Sequence, residues 1–321
     1  MRPLHTLLAL LLVCIWGFNF VVIHEGLDEI PPITLCVFRF VLVSFPAVFF
    51  IRRPDVSWRM LIAFAMTMFV LQFSFLFGAM SLGLSPGISS IALQLHVFVT
   101  IGLAMVILGE RPGWFQIAGA LLALSGLILI GVHSGGEVPI WGLLGMLAGA
   151  TSWGVANIIS KKLGQIDMLA LIVWGGLLAI GPMILIALVF EGSTRMIGAV
   201  THLSWLGVGT IAYIVYPVTL FGFSVWSWLL GRYQAASVVP MTLLVPIVGI
   251  GSSVLLLGET LQSWKIIAAL LVCGGLAVNL FGPRLMMLMP FGSKRRRLPR
   301  VTLSEASGSR NRRSGSTTSG P

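Results

Sequence analysis

The strongest constraint on this chain is a succession of ten apolar runs, each about as long as a membrane-crossing helix. A bilayer core about 30 Å thick takes about 20 residues of α-helix. Runs of that size stand at approximately 4–24, 33–51, 60–81, 88–108, 115–133, 140–160, 168–190, 205–229, 235–257 and 264–282. They are long and do not alternate apolar with polar residues, so they predict helices rather than barrel strands. Of the 321 residues, 57% are hydrophobic and 9% charged. Soluble domains carry about 25% charged residues. A soluble fold of this length cannot hide so much apolar surface, so lipid must solvate part of it. The expected class is an all-α polytopic membrane protein. The first run has no small-residue cleavage site and many like it follow, so it reads as a span rather than a signal peptide.

The net charge of +10 suggests nucleic acid only until the charges are placed on the chain. With a cytoplasmic N-terminus, the inner segments hold Arg2, Arg52, Arg53, Arg59, Arg111, Lys161, Lys162 and Arg232, and the region after Gly282 adds nine more Lys and Arg. The outer loops hold Arg195 and Lys265, and the first of them carries Glu25, Asp28 and Glu29. That asymmetry predicts both termini inside and an even number of spans. It excludes nucleic acid as the partner. The partners expected are the lipid bilayer and a small-molecule substrate. Residues 283–321, rich in Ser, Gly and basic residues, predict a disordered cytoplasmic tail. Lys294–Arg297 in it either contact anionic lipid or are simply solvated. Cys14, Cys36 and Cys273 all fall in apolar runs, with no metal-site spacing and no disulfide framework.

The chain repeats itself. Leu-Gly-Glu ends the fourth run at 108–110 and the ninth at 257–259. Beyond it Ile117 matches Ile266, Ala120 matches Ala269, and Gly126-Leu127 matches Gly275-Leu276. Trp16-Gly17 matches Trp153-Gly154, each followed by an Asn at 19 or 157. Residues 35–46 match 171–182, with Gly175 standing where Arg39 stands. Residues 4–133 and 140–282 thus form two five-helix repeats. An odd number of spans per repeat turns the second copy over in the membrane, the architecture of alternating access. Glu110 then ends on the inner side and Glu259 on the outer.

Polar groups at membrane depth are few. Arg39 lies about six residues, or about 9 Å, inside its span, where a charge costs about 2.5–3.5 kcal/mol. It snorkels outward, pairs with Glu25, Asp28 or Glu29, or clamps a substrate carboxylate. His96, beside Gln94, is either a neutral interhelical histidine or a proton shuttle. Asn19, Asn157 and Gln72 either knit helices or line a cavity that Trp16, Trp153 and Trp174 would wall. Tyr213, Tyr216 and Pro217 fall in the eighth span, and Pro240 and Pro246 in the ninth, where proline kinks a helix and frees backbone carbonyls. Gly145-x-x-x-Gly149 predicts a close helix contact. No phosphate-binding loop, nucleophile–base pair or metal cluster is read from the sequence, so neither cofactor nor catalytic residue is expected and an enzyme is disfavoured.

These motifs carry a resemblance. Trp16-Gly17, Trp153-Gly154, Arg39, Gly109-Glu110 and Gly258-Glu259 resemble the EamA family of the drug/metabolite transporter superfamily, over about residues 5–283. The stretches 16–23, 39–50, 72–80, 230–246 and 255–259 are similar to bacterial exporters of O-acetylserine and cysteine. The resemblance implies a secondary exporter of amino-acid-like metabolites in a bacterial inner membrane. Uptake or exchange of another polar or drug-like compound is the alternative, and a membrane enzyme or non-transporting protein a more remote one. Two departures stand out. Val97, opposite Pro246, replaces a proline common in the family, which leaves the fourth span without the residue that would break it. The basic tail is an addition.

Overall fold

The structure is a computed structural model and describes residues 2–133, 138–164, 166–233 and 238–288. Nine described helices are long and apolar enough to cross a membrane: Pro3–Leu27, Pro32–Phe49, Trp58–Ser81, Pro86–Leu108, Trp114–Val132, Ile140–Leu163, Met168–Phe190, Trp205–Leu229 and Ser263–Gly282. Met241–Leu257 is a shorter tenth. They are numbered here as spans one to ten in chain order, with Met241–Leu257 the ninth. Their lipid-facing sides explain the composition: Leu7, Val106, Leu121, Val189, Leu255 and Leu270 all stand exposed. A short helix at Ser193–Thr201, absent from the sequence reading, lies between spans seven and eight. Spans ten's helix runs on to Leu288, into the stretch expected to begin the tail. Lys294–Arg297 and the rest of that tail lie outside the described residues.

The two halves interleave rather than sit side by side. Span one packs on span nine, and span four on span six. Glycine sets both crossings. A Cβ at Gly17 would lie 2.5 Å from Val248 Cβ, and one at Gly154 would lie 2.6 Å from Val99 Cγ1. Val99 and Val248 occupy the same repeat position, so these are one contact used twice. Spans five and ten cross where a Cβ on Gly119 would strike the Gly275 carbonyl oxygen, and the reverse. Gly145 and Gly149 face span three, where a Cβ on Gly149 would lie 3.2 Å from the Gln72 carbonyl oxygen.

Irregular turns repeat too. Ala65–Leu71 in span three and Ile214–Phe221 in span eight are wound as π-helix. Leu93–Leu95 in span four and Val239–Leu243 at the start of span nine are 3-10 turns. The fourth span is therefore irregular without a proline, which corrects the expectation drawn from Val97. The break falls before His96 and is held by the His96 imidazole, whose Nδ1–H donates 2.9 Å to the Leu93 carbonyl. Gly109 and Gly258 end their helices at φ 67° and 65°. That left-handed turn suits glycine and points the next residue, Glu110 or Glu259, back along the helix end.

Candidate functional site

Arg39 is 2% exposed. It does not snorkel, and among the described residues it forms no ion pair with Glu25, Asp28 or Glu29. Glu29 of that loop is engaged elsewhere: the Ser204 hydroxyl donates 2.6 Å to Glu29 Oε1. Arg39 instead points among aromatics, its guanidinium carbon 4.0 Å from the Phe73 ring centroid and 5.8 Å from that of Phe40. Attraction to the ring faces offsets part of the cost of burying the charge. Among the described residues its Nε and Nη1, both fully buried, find no hydrogen-bond partner.

Two amides share that condition. Asn19 and Gln72 are buried, and among the described residues Asn19 Oδ1 and Gln72 Oε1 have no donor. Gln72 precedes Phe73, the residue under the guanidinium. Ser74 and Ser89, which the sequence reading passed over, also have buried hydroxyls without partners. Native interiors rarely leave such groups unpaired, so each asks for an explanation. A serine in an apolar run carries no distinguishing pattern, which is why these two were not singled out.

The other candidates are occupied. Trp16 Nε1 donates 3.1 Å to the Val218 carbonyl in the irregular turn of span eight, and its ring lies 5.7 Å from Phe223 and 5.5 Å from Trp226. The Tyr213 hydroxyl donates 2.9 Å to the Ile15 carbonyl. Together they tie spans one and eight. Trp174 Nε1 donates 3.0 Å to the Ile51 carbonyl, tying span seven to the end of span two. His96 stacks on Trp153, and Asn157 Nδ2 donates 3.0 Å to Thr100 Oγ1. Gln94 is buried, whereas Tyr216 stands apart at 56% exposure. The symmetry between Asn19 and Asn157 is thus broken: one amide holds a neighbouring span and the other keeps a free acceptor.

A second polar centre lies at the end of span nine. Glu259 Oε1 accepts from the Ser85 hydroxyl at 2.7 Å and pairs with Lys265 Nζ at 3.1 Å. Oε2 accepts from the Ser253 hydroxyl and from the Gly87 amide at 3.4 Å. Burial pushes this carboxyl up, but the hydrogen bonds from Ser253, Ser85 and Lys265, with the Lys265 charge, outweigh it and hold the group below its ordinary value. Its repeat partner Glu110 instead meets Lys161 at 2.5 Å with both side chains about half exposed.

With this geometry in view, comparison with known proteins decides the family. The EamA-like transporter family matches at residues 4–132 and again at 140–281. The chain belongs to that family. A relative from Escherichia coli (strain K12), described as a probable amino-acid metabolite efflux pump, is 38% identical over 89% of this chain and 98% of its own length. One of the same description from Salmonella typhimurium is 39% identical over 86% of this chain and 95% of its own. A solved crystal structure with 19% identity, covering 89% of this chain and 99% of its own, has a TM-score of 0.58 and shares the fold. As an EamA-family member, the protein is a multi-pass membrane protein of a transporter family, and Arg39, Asn19 and Gln72, with Ser74 and Ser89, carry buried polar atoms that the fold alone does not explain.

Proposed function

We propose that this protein is a secondary exporter of amino-acid-like metabolites of the cysteine and O-acetylserine type, working by alternating access between its two repeats. Both termini lie in the cytoplasm and the membrane is the bacterial inner membrane. The observation that carries this reading is the buried, unpaired guanidinium of Arg39, with unpaired acceptors at Asn19 Oδ1 and Gln72 Oε1 on neighbouring spans. An α-amino acid brings a carboxylate for the first and an ammonium for the others. Guanidinium binds a carboxylate through two parallel hydrogen bonds. The description of the relatives as amino-acid metabolite efflux pumps supports the same class.

In this reading substrate displaces Arg39 from the face of Phe73 and completes its hydrogen bonds. Trp16, Trp153, Trp174, Tyr213 and Tyr216 give apolar surface to the path, and Gln94, His96 and Asn157 hold the helices that flank it. The test is a metabolite-resolved transport assay in inverted vesicles, with and without an imposed proton gradient. Uptake of cysteine or O-acetylserine into the vesicles, absent from vesicles without the protein, is expected. No movement of any amino acid under either condition overturns the substrate class.

A further inference from the structure

Three glutamates join helix starts of one half to the other half, all at the same end of the molecule. Glu191, at the end of span seven, accepts from the backbone amides of Ile33 (2.6 Å) and Thr34 (3.0 Å) at the start of span two. Glu29, after span one, holds Ser204, whose oxygen also accepts from the Leu206 and Gly207 amides at the start of span eight. Glu259, after span nine, holds Ser85 and Gly87 at the start of span four. Carboxylates are favoured at helix starts, where amides lack partners. At the opposite end, among the described residues, Ser57 and Asp167 cap their own helices and Glu110 meets Lys161 in the open. A half-exposed ion pair is worth about 0–1 kcal/mol.

The repeat makes the difference a matter of residue identity. In the register that places Glu110 on Glu259, Ser253 corresponds to Ala104 and Lys265 to Gln116. Ala104 has no donor to offer. Gln116 is neutral, and its Oε1 accepts from the Gly113 amide of its own helix start at 2.9 Å. The Glu110 site therefore lacks the serine hydroxyl and the lysine charge that engage Glu259. Behind the Glu259 cluster lies a small apolar pocket lined by Ile88, Ile91, Ile250 and Val254, with Ile88 and Ile91 fully buried.

We propose that Glu259 is the latch of the outer gate, an ionised carboxylate that clamps the start of span four to the span nine–ten turn and must release for that face to open. The proposal rests on the alternating-access reading. Among the described residues, Lys265 is the charged group on this carboxylate, and Ser85, Ser253 and the Gly87 amide supply the remaining donors. Because the repeat partner site cannot form the same cluster, the two faces open against unequal resistance. A transporter built from two related halves thereby acquires a preferred resting state, closed at the Glu259 end.

The test is the rate at which a cysteine at position 91 reacts with a polar maleimide. The protein is full length, in nanodiscs, with Cys14, Cys36 and Cys273 replaced by alanine. Glu259→Gln keeps the shape and removes the charge. Ser253→Ala combined with Lys265→Gln gives the latch the residues of its repeat partner and leaves Glu259 in place. Each is expected to speed labelling of Ile91→Cys about tenfold, the change that loss of one charge-assisted hydrogen bond brings. Glu110→Gln is expected to leave the rate unchanged. Labelling at the parent rate in both latch variants, or equal acceleration by Glu110→Gln, overturns the proposal. The readout needs no substrate, so it fails or succeeds independently of the amino-acid assignment.

Discussion

The imidazole of His96 lies flat on the indole of Trp153, with ring centroids 4.1 Å apart and an interplanar angle of 10°. Its Nδ1–H is committed to the Leu93 carbonyl at 2.9 Å. The ring thus braces the 3-10 turn of span four and stacks on span six at once. Trp153→Ala removes the stack, worth about 1 kcal/mol, together with the ring's packing against the core, so a loss of about 2–4 kcal/mol is expected in thermal melts of the detergent-solubilised protein.

His96→Gln removes the stacked ring, so slower transport is expected. If the histidine only braces the helices, the pH profile of transport keeps its shape in the variant. A profile that flattens in His96→Gln assigns the ring to proton transfer instead.

Arg39 invites a pair of substitutions that separate function from stability. Arg39→Lys keeps the charge and loses the planar fork, so apparent substrate affinity is expected to fall about tenfold or more. Arg39→Met removes a buried charge without a partner. Transport is expected to be lost while the melting temperature holds or rises, since replacing buried unpaired charge with packed apolar atoms is often neutral or stabilising by about 1 kcal/mol or more. A steep drop in melting temperature would make Arg39 a structural group.

Gly275 and Gly119 let spans five and ten touch backbone to backbone. Gly275→Val puts two branched methyls against the Gly119 carbonyl, which cannot retreat without moving its helix. Destabilisation of about 1–3 kcal/mol is expected. Gly131→Val, where a Cβ meets nothing within 4 Å, is the control and is expected to melt with the parent.

Acid should weaken the Glu259 cluster. Folding holds this carboxyl below its ordinary value of 4.5, so the stabilisation is present above that value and is lost as pH falls through the lower folded one. Melts between pH 7 and pH 3 are expected to show a drop below about 4.5 in the parent that is smaller in Glu259→Gln. Equal drops in both would remove Glu259 as a source of acid sensitivity.

Several features were already decided in the chain as written. Ten apolar runs require membrane helices, because backbone polar groups in lipid must be satisfied within each helix. The shared Leu-Gly-Glu at 108–110 and 257–259 sets the register of the later spans of the repeat, whereas the crossings at Gly17 and Gly154 emerged only from packing. The short helix at Ser193–Thr201 and the 3-10 turn at Leu93–Leu95 were not apparent, since neither carries a proline or a charge cluster to mark it.

For the polar residues the division is sharper. Sequence alone picked out Arg39, Asn19, Gln72, Trp16, Trp153 and His96 as candidates, because polar and amphipathic groups in apolar runs are few. Only tertiary structure decided which have partners. Trp16 meets Val218, Trp174 meets Ile51 and Asn157 meets Thr100, while Arg39, Asn19 and Gln72 keep unpaired atoms. Only tertiary structure, likewise, turned Glu259 from a residue ending a helix into one that grips Ser85 and Gly87. The reason is distance along the chain. Apolar periodicity and repeats act within one helix or one half, whereas the hydrogen bonds that occupy or spare each buried polar group form between halves, where packing alone fixes who meets whom.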